Sequence, residues 1–173
     1  MTELVLPNDT NTLGNLMGGR LLHLMDVCAA IAAQRHSNRT VVTASVDSVD
    51  FRAAVRLGEV VVLESRVNRA FTTSMEVGID VWAEDNATGE RRYCNQAFYT
   101  FVAVDGSGRP IPVRALAPET DDDRQRYEAA GRRRELRLVL AGRLAIEDAP
   151  GLRERLGDIA LRPPESPGRA EPS

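Results

Sequence analysis

The sequence of 173 residues contains no lysine and only two cysteines and two histidines. Its 22 basic residues are therefore all arginines, and 25 acidic residues bring the formal net charge to −3, which argues against a general nucleic-acid-binding protein. Cys28 and Cys94 do not have the spacing of metal ligands and are too few for a disulfide framework. This use of cysteine is typical of a protein from a reducing compartment.

Long apolar runs are also missing from the start of the chain. The N-terminal segment MTELVLPNDT has neither a basic stretch nor a long hydrophobic stretch, so we expect no signal peptide, no membrane span and a cytoplasmic location. The apolar fraction of 43% and the charged fraction of 27% are those of an ordinary globular protein. A chain of this length can bury roughly 70% of its unfolded surface, so one substantial core is predicted.

The most apolar segment is Leu21–Ala33, which follows the polar, glycine-rich turn Asn11–Gly19. Its Leu, Met and Ala content predicts a helix. Only His23 and Asp26 interrupt the apolar residues, so we expect this helix to be buried on every side. A buried carboxylate costs on the order of several kcal/mol unless it is compensated, which makes Asp26 a candidate functional residue. The alternatives are an ion pair with Arg20, backbone donors or a subunit contact.

Several segments have the alternating or β-branched composition of strands. Short turns are predicted to join the last four strands, and consecutive strands joined in this way pair antiparallel. An antiparallel sheet needs one face covered, and the apolar helix is the element that can cover it. We therefore predict an α+β fold in which a curved antiparallel sheet wraps around the helix and a second copy of the chain covers the rest. The predicted strands are Thr2–Leu6, Val41–Phe51, Gly58–Phe71, Ser74–Asp85 and Glu90–Asp105.

The composition changes at Pro118. Thr120 is suited to cap a second helix that starts with acidic residues and continues with arginines, an order that suits the helix dipole. The arginines at 132, 133, 134 and 137 are by themselves typical of a solvated face. From Ala149 the chain is rich in proline, which predicts a disordered tail. The predicted parts are thus residues 1–117, 118–148 and 149–173.

Several separated motifs resemble the acyl-CoA thioesterases of the hotdog fold. They are the N-x-x-G…G-G-x-L-L…M-D run of Asn11–Asp26, the strand VTASVDSVDF, the segment VNRAFTTSMEVGIDV of Val67–Val81, the strand AFYTFVAVD and the basic segment RRRELRL. The resemblance covers residues 11–138. It implies a helix enclosed by a sheet, active sites at a dimer interface, and homo-oligomers built from dimers, a hexamer as a trimer of dimers among them. Many relatives carry His before the paired glycines, where this chain has Met17.

The resemblance also implies roles for particular residues. Asp26 is the catalytic carboxylate, and Asn11 is its polar partner, reached from the other protomer. Read without the resemblance, Asn11 is equally well a turn residue, and Asn15 could be mistaken for it. The residues implied in binding coenzyme A are Ala44, Ser45, Val46, Thr73, Ser74, Met75 and an arginine of the later helix, placed at Arg134 with Arg133 as the alternative.

The activity implied is hydrolysis of acyl-CoA to a carboxylic acid and coenzyme A. Asp26 acts either as general base on water or as nucleophile, and the residues do not separate these two routes. A thiol with a pKa of about 8.5 leaves without much acid assistance. Backbone N–H groups at the start of the helix, from Gly18, Gly19 or Arg20, polarise the carbonyl, with Gly19 as the preferred donor. No metal or cofactor is expected, because coenzyme A is part of the substrate.

Other interpretations of the same residues are weaker. His23 could assist Asp26, although a core histidine bonded to a backbone carbonyl is the favoured reading. Ser74 lacks a nucleophile-elbow motif, and Asp47 and Asp50, on opposite faces of a strand, lack a metal-ligand pattern. A dehydratase of the same fold would require a histidine where Met17 stands. A non-catalytic protein that binds or senses acyl-CoA is the alternative from another functional class.

Overall fold

The computed structural model describes residues 1–160. The chain forms two compact units, Met1–Asp123 and a second unit that begins at Arg124. The boundary therefore falls a few residues after the change of composition at Pro118. Within residues 1–160, no helix is both long enough and apolar enough to cross a membrane.

The first unit consists of one long helix and a five-stranded antiparallel sheet. The elements are α1 (Gly18–Ser37), β1 (Thr2–Leu4), β2 (Thr40–Val46), β3 (Val60–Ala70), β4 (Ser74–Glu84) and β5 (Arg91–Val104). The strands lie in the order β1-β3-β4-β5-β2. The helix contacts four of the strands, including one at an edge of the sheet, so the sheet curls around it. This is the predicted α+β arrangement.

The core lies between α1 and the concave face of the sheet. Ala29 and Ala33 of α1 are completely buried, and their small side chains let the helix lie close to the strands. Met25 fills the space one turn before Ala29. The largest side chains facing them from the sheet are Leu63, Met75, Ile79, Tyr99 and Phe101.

One face of α1 is exposed, so the prediction of a helix buried on every side is wrong for the single chain. Val27 is 37% exposed and Ile31 39% exposed. His23 lies on the same face and is exposed, so it is not the core histidine that was predicted. These residues recur every four positions, on the side of the helix that the single sheet does not cover. Asp26, beside this face, is half-buried.

Strand β2 differs most from the sequence-based prediction. It ends at Val46 rather than at Phe51, and it pairs with β5 at one edge of the sheet instead of with β3. The pairing of consecutive strands holds for β3, β4 and β5, because only their connections are short. Asp47 and Asp50 follow the end of β2, so strand alternation does not determine which way they point.

The C-terminal elements are α2 (Asp121–Leu140) and α3 (Pro150–Ala160). Thr120 caps α2 as predicted: its Oγ1 accepts from Asp123 N at 3.1 Å, and Asp123 Oδ2 accepts from Thr120 N at 3.1 Å. The predicted tail starting at Ala149 contains a helix, since Pro150 suits a first helical turn and Leu152 is buried. The remainder of that tail, residues 161–173, lies outside the described residues.

Candidate active site

The carboxylate of Asp26 is held by one hydrogen bond from the sheet. Thr43 Oγ1 donates to Asp26 Oδ1 at 2.7 Å, a short distance that is typical of a charge-assisted bond. Among residues 1–160, no group donates to Asp26 Oδ2. Arg20 is paired with Asp9 at 2.9 Å, so the alternative of an Arg20–Asp26 ion pair is wrong. Asp26 therefore presents one fixed oxygen atom and one open oxygen atom.

Thr43 lies in β2 immediately before a β-bulge. Thr43 lies opposite Phe101 and Ser45 opposite Thr100, so Ala44 is the extra residue between them. Such bulges change the direction of nearby side chains. Val41, two residues before Thr43, packs on the core, and the period of two therefore directs Thr43 to the same side, toward α1.

Tyr99 of β5 lies next to this carboxylate inside the molecule. Its hydroxyl group donates to the carbonyl oxygen of Leu22 in α1 at 3.3 Å. Burial, and to a smaller extent the negative charge of Asp26, together raise the pKa of Tyr99 to about 12. The phenol ring stacks on Phe101, with 6.2 Å between the ring centroids. Tyr99 is thus a protonated phenol at neutral pH.

The first turn of α1 offers unpaired backbone donors. Met17, the N-cap residue, makes no side-chain cap, and the first N–H group bonded to the helix start is that of Leu21, to Met17 O at 3.0 Å. Within the described part of the chain, the preceding N–H groups, from Gly18 to Arg20, have no acceptor. Gly19 precedes Asp26 by seven residues, which puts the two on nearly the same face, about 10 Å apart along the axis.

Asn11 organises its own turn. Its Oδ1 accepts hydrogen bonds from the backbone N–H groups of Leu13 at 2.9 Å and Asn15 at 3.2 Å. Its backbone N–H group donates to the carbonyl oxygen of Asn15 at 2.8 Å. None of these bonds reaches Asp26, so the structure does not join Asn11 to Asp26 within one chain. The side chain of Asn11 is exposed.

The two segments predicted to bind coenzyme A lie at the same end of the sheet, on either side of β5. Ser74 pairs with Val102, which in turn pairs with Val42, so the segments are two strand spacings, about 10 Å, apart. Met75 is completely buried in the core, and its side chain therefore has no surface to offer a ligand in this chain. The other predicted residues of these segments are exposed or half-buried: Ala44, Ser45, Val46, Thr73 and Ser74.

The remaining candidate residues lie elsewhere. Arg134 is an exposed residue of α2 and Arg133 a half-buried one, both in the second unit, and their contact with coenzyme A stays a prediction. His36 Nε2 lies 3.0 Å from Arg114 O. Across residues 1–160, no three His, Cys, Asp or Glu side chains are grouped as metal ligands would be.

Sequence reasoning did not identify Thr43 and Tyr99. A signal existed for Thr43, because the period of two places it on the same face of its strand as the apolar Val41, toward the helix. For Tyr99 no signal was available, since nothing in the sequence distinguishes its hydroxyl group from that of Tyr93 on the same strand. Both residues reach α1 only through contacts between distant parts of the chain.

Comparison with known proteins identifies the class to which this fold and site belong. The profile of the thioesterase superfamily matches residues 13–90. The uncharacterized acyl-CoA thioester hydrolase YkhA of Bacillus subtilis is 43% identical over 132 residues, which are 76% of this chain and 77% of that protein. The chain therefore belongs to the thioesterase superfamily, as a hotdog-fold acyl-CoA thioesterase. This confirms the predicted family, fold and enzyme class.

Solved structures agree with this assignment. A hexameric acyl-CoA thioesterase, crystallised in the apo form, has a TM-score of 0.78 and 45% identity, over 82% of this chain and 90% of that one. An acyl-CoA hydrolase from Staphylococcus aureus, solved with butyryl coenzyme A, coenzyme A and coenzyme A disulfide, has a TM-score of 0.76 and 32% identity, over 93% of both chains.

Three further structures of the Staphylococcus aureus hydrolase carry alanine in place of an asparagine, an aspartate and a threonine. In that chain the aspartate follows the asparagine by 15 residues, and the threonine follows the aspartate by 17. Asn11, Asp26 and Thr43 are separated by the same two intervals. The residues that correspond in spacing thus include the Asp26–Thr43 pair joined by the 2.7 Å hydrogen bond.

Proposed function

We propose that this protein hydrolyses the thioester bond of acyl-CoA, releasing a carboxylic acid and coenzyme A, with Asp26 as its catalytic carboxylate. The observation that carries the proposal is the geometry of Asp26, whose Oδ1 is fixed by Thr43 while Oδ2 accepts no hydrogen bond from residues 1–160. The relatives named as acyl-CoA thioester hydrolases and the structure with bound coenzyme A support hydrolysis over a non-catalytic binding role.

The chemistry follows from the two oxygen atoms of this carboxylate. In the general-base route, Oδ2 takes a proton from water as the water oxygen adds to the thioester carbonyl carbon. In the covalent route, Oδ2 itself adds to that carbon, and water later hydrolyses the anhydride. In both routes the carbon–sulfur bond breaks and coenzyme A leaves as a thiolate, which is a stable leaving group and takes up a proton from solvent. Thr43 keeps the carboxylate in one orientation throughout.

The start of α1 supplies the donors for the developing oxyanion. The unpaired N–H groups from Gly18 to Arg20 lie at the positive end of the helix dipole, where negative charge is stabilised. The Asp side chain leans toward the helix N-terminus, which shortens the distance of about 10 Å along the axis. Gly19 is the preferred donor, because no atom lies within 4 Å of where its Cβ would be.

The site is completed by a second copy of the chain. On the side of α1 that the single sheet leaves uncovered, Val27 and Ile31 are exposed, and Val46 of the neighbouring edge strand β2 is exposed as well. Such a surface is suited to pairing with an identical one. In this dimer Asn11 approaches Asp26 of the other protomer. The hexameric relative supports further assembly as a trimer of dimers.

We propose that coenzyme A binds along the end of the sheet. Ala44–Val46 and Thr73–Ser74 flank the ends of β2 and β4, and the planar guanidinium group of Arg134 is suited to a phosphate of the nucleotide. We further propose a role in fatty-acyl metabolism in the cytoplasm, in keeping with two free, buried cysteines.

The deciding experiment compares Asp26→Asn with the wild type and with Asp80→Asn. Asp80 is also half-buried, but it lies on the outer face of the sheet, where Tyr93 and Gln96 donate to it. Thiol release from acyl-CoAs of graded chain length measures hydrolysis, and calorimetry measures coenzyme A binding. We expect D26N to lose most of its turnover and keep binding, and D80N to keep both. Wild-type turnover in D26N, or binding without any turnover by the wild type, would contradict the proposal.

A further inference from the structure

The hydroxyl group of Tyr99 lies beneath the turn of α1 that carries Asp26. Tyr99 is 1% exposed, and its hydroxyl group donates to Leu22 O at 3.3 Å. Leu22 precedes Asp26 by four residues, so within the helix the same carbonyl oxygen accepts the N–H group of Asp26. Two donors therefore meet at one oxygen atom. Through it, β5 is connected to the backbone of the residue that the proposed reaction requires.

Thr43 and Tyr99 act on this turn from two paired strands. Thr43 lies opposite Phe101 in the β2–β5 ladder, and Phe101 and Tyr99 are two residues apart, so they point to the same face of the sheet. Thr43 holds the side chain of Asp26, whereas Tyr99 holds the backbone of its turn. The two contacts are independent, because one can be removed by substitution while the other keeps its own partner.

We infer that Tyr99 is a positioning residue for the proposed hydrolysis: its hydroxyl group holds the Asp26 turn of α1 against β5, so that Oδ1 remains on Thr43 and Oδ2 faces the substrate. The inference rests on the proposed function. Because its pKa lies near 12, the phenol stays protonated around neutral pH and can donate this hydrogen bond throughout that range.

The length of the Tyr99–Leu22 hydrogen bond indicates how its removal should affect stability and rate. At 3.3 Å it is longer than the usual O–H···O distance of about 2.8 Å, so it contributes little to the global stability. A small displacement of a catalytic group, in contrast, is costly in rate. Loss of the hydroxyl group should therefore reduce kcat by about tenfold, leave KM within about twofold, and leave the melting temperature nearly unchanged.

The test is Tyr99→Phe, with Tyr93→Phe as the matched control. Phe fills the same space as Tyr99 and buries no hydroxyl group, so the variant is expected to fold, which its melting curve verifies. Tyr93 is on the same strand and also donates a hydrogen bond, to Asp80 Oδ1 at 3.0 Å, on the face away from α1. We expect Y99F to show the loss of kcat and Y93F to match the wild type.

Coupling to Asp26 separates positioning from a general structural effect. If Tyr99 acts through Asp26, Y99F should not reduce the residual activity of D26N any further. A kcat within twofold of the wild type in folded Y99F, an equal loss in Y93F, or a tenfold further loss in the D26N background would overturn the inference alone. A wild-type protein that releases no thiol from acyl-CoA would overturn the proposed function, and this inference with it.

Discussion

The hydrogen bond from Thr43 to Asp26 leads us to predict that the substitution Thr43→Val lowers the rate of hydrolysis. Valine has nearly the same shape as threonine but lacks the hydroxyl group, so Asp26 Oδ1 loses its donor at 2.7 Å while β2 keeps a β-branched residue. The variant should fold as the wild type does. Asp26 would then be free to rotate, and its carboxylate would lack the donor that stabilises the negative charge.

The magnitude follows from the kind of bond. A hydrogen bond to a charged group contributes about 1.5 to 3 kcal/mol, which corresponds to a factor of about 10 to 150 in rate. Thr43 is exposed, so water can replace part of the lost interaction. We therefore expect kcat of T43V to be about tenfold lower, near the lower limit of that range.

The assay is thiol release from an acyl-CoA at saturating and at low substrate, between pH 4 and pH 9. Thr43→Ser is the matched control, because serine keeps the hydroxyl group and should retain most of the activity. If T43V has the kcat of the wild type, or if T43S is as impaired as T43V, then the hydrogen bond to Asp26 does not govern the reaction.

Three further outcomes can be measured. A Cβ at Gly78 would lie 2.7 Å from the buried Asn68 Nδ2. Gly78→Ala should therefore lower the free energy of unfolding, measured by urea denaturation, by about 1 to 3 kcal/mol. Gly106→Ala is the control and should be neutral, because a Cβ at Gly106 would meet no atom within 4 Å. Tyr99 has a pKa of about 12 in the folded state and about 10 in the unfolded state, so its contribution to stability is complete below pH 10 and is lost as the pH rises from about 10 to 12. The free energy of unfolding of Y99F should therefore fall less steeply than that of the wild type over this range. Ile31→Arg should yield inactive monomers in sedimentation velocity, and an active oligomeric variant would contradict the proposed dimer surface.

Much of the fold could be predicted because its signals are local. The antiparallel pairing of β3, β4 and β5 could be predicted from their alternating sequences and from the short turns between them, because a short turn brings consecutive strands side by side. The start of α2 could be predicted from Thr120 and the acidic residues after it, because the capping hydrogen bonds join residues only three positions apart. The position of β2 in the sheet could not be predicted, because a long connection allows the next strand to lie at either edge of a sheet.

The candidate site divides in the same way. Asp26 could be identified from the sequence, because a carboxylate among the apolar residues of a helix is unusual and often belongs to a functional site. The residues that hold it could not be found, because the hydroxyl group of Thr43 reaches Asp26 across 17 residues of sequence and that of Tyr99 reaches Leu22 across 77.

The amino-acid sequence by itself thus determined the apolar helix, its acidic residue, the antiparallel meander and the family. Only the tertiary structure decided which face of α1 stays exposed, which oxygen atom of Asp26 is fixed, and that Arg20 pairs with Asp9 instead. The physical reason is that periodicity and capping act over a few residues. The orientation of a side chain in a site depends on strand order and register, which bring together residues that are distant in sequence.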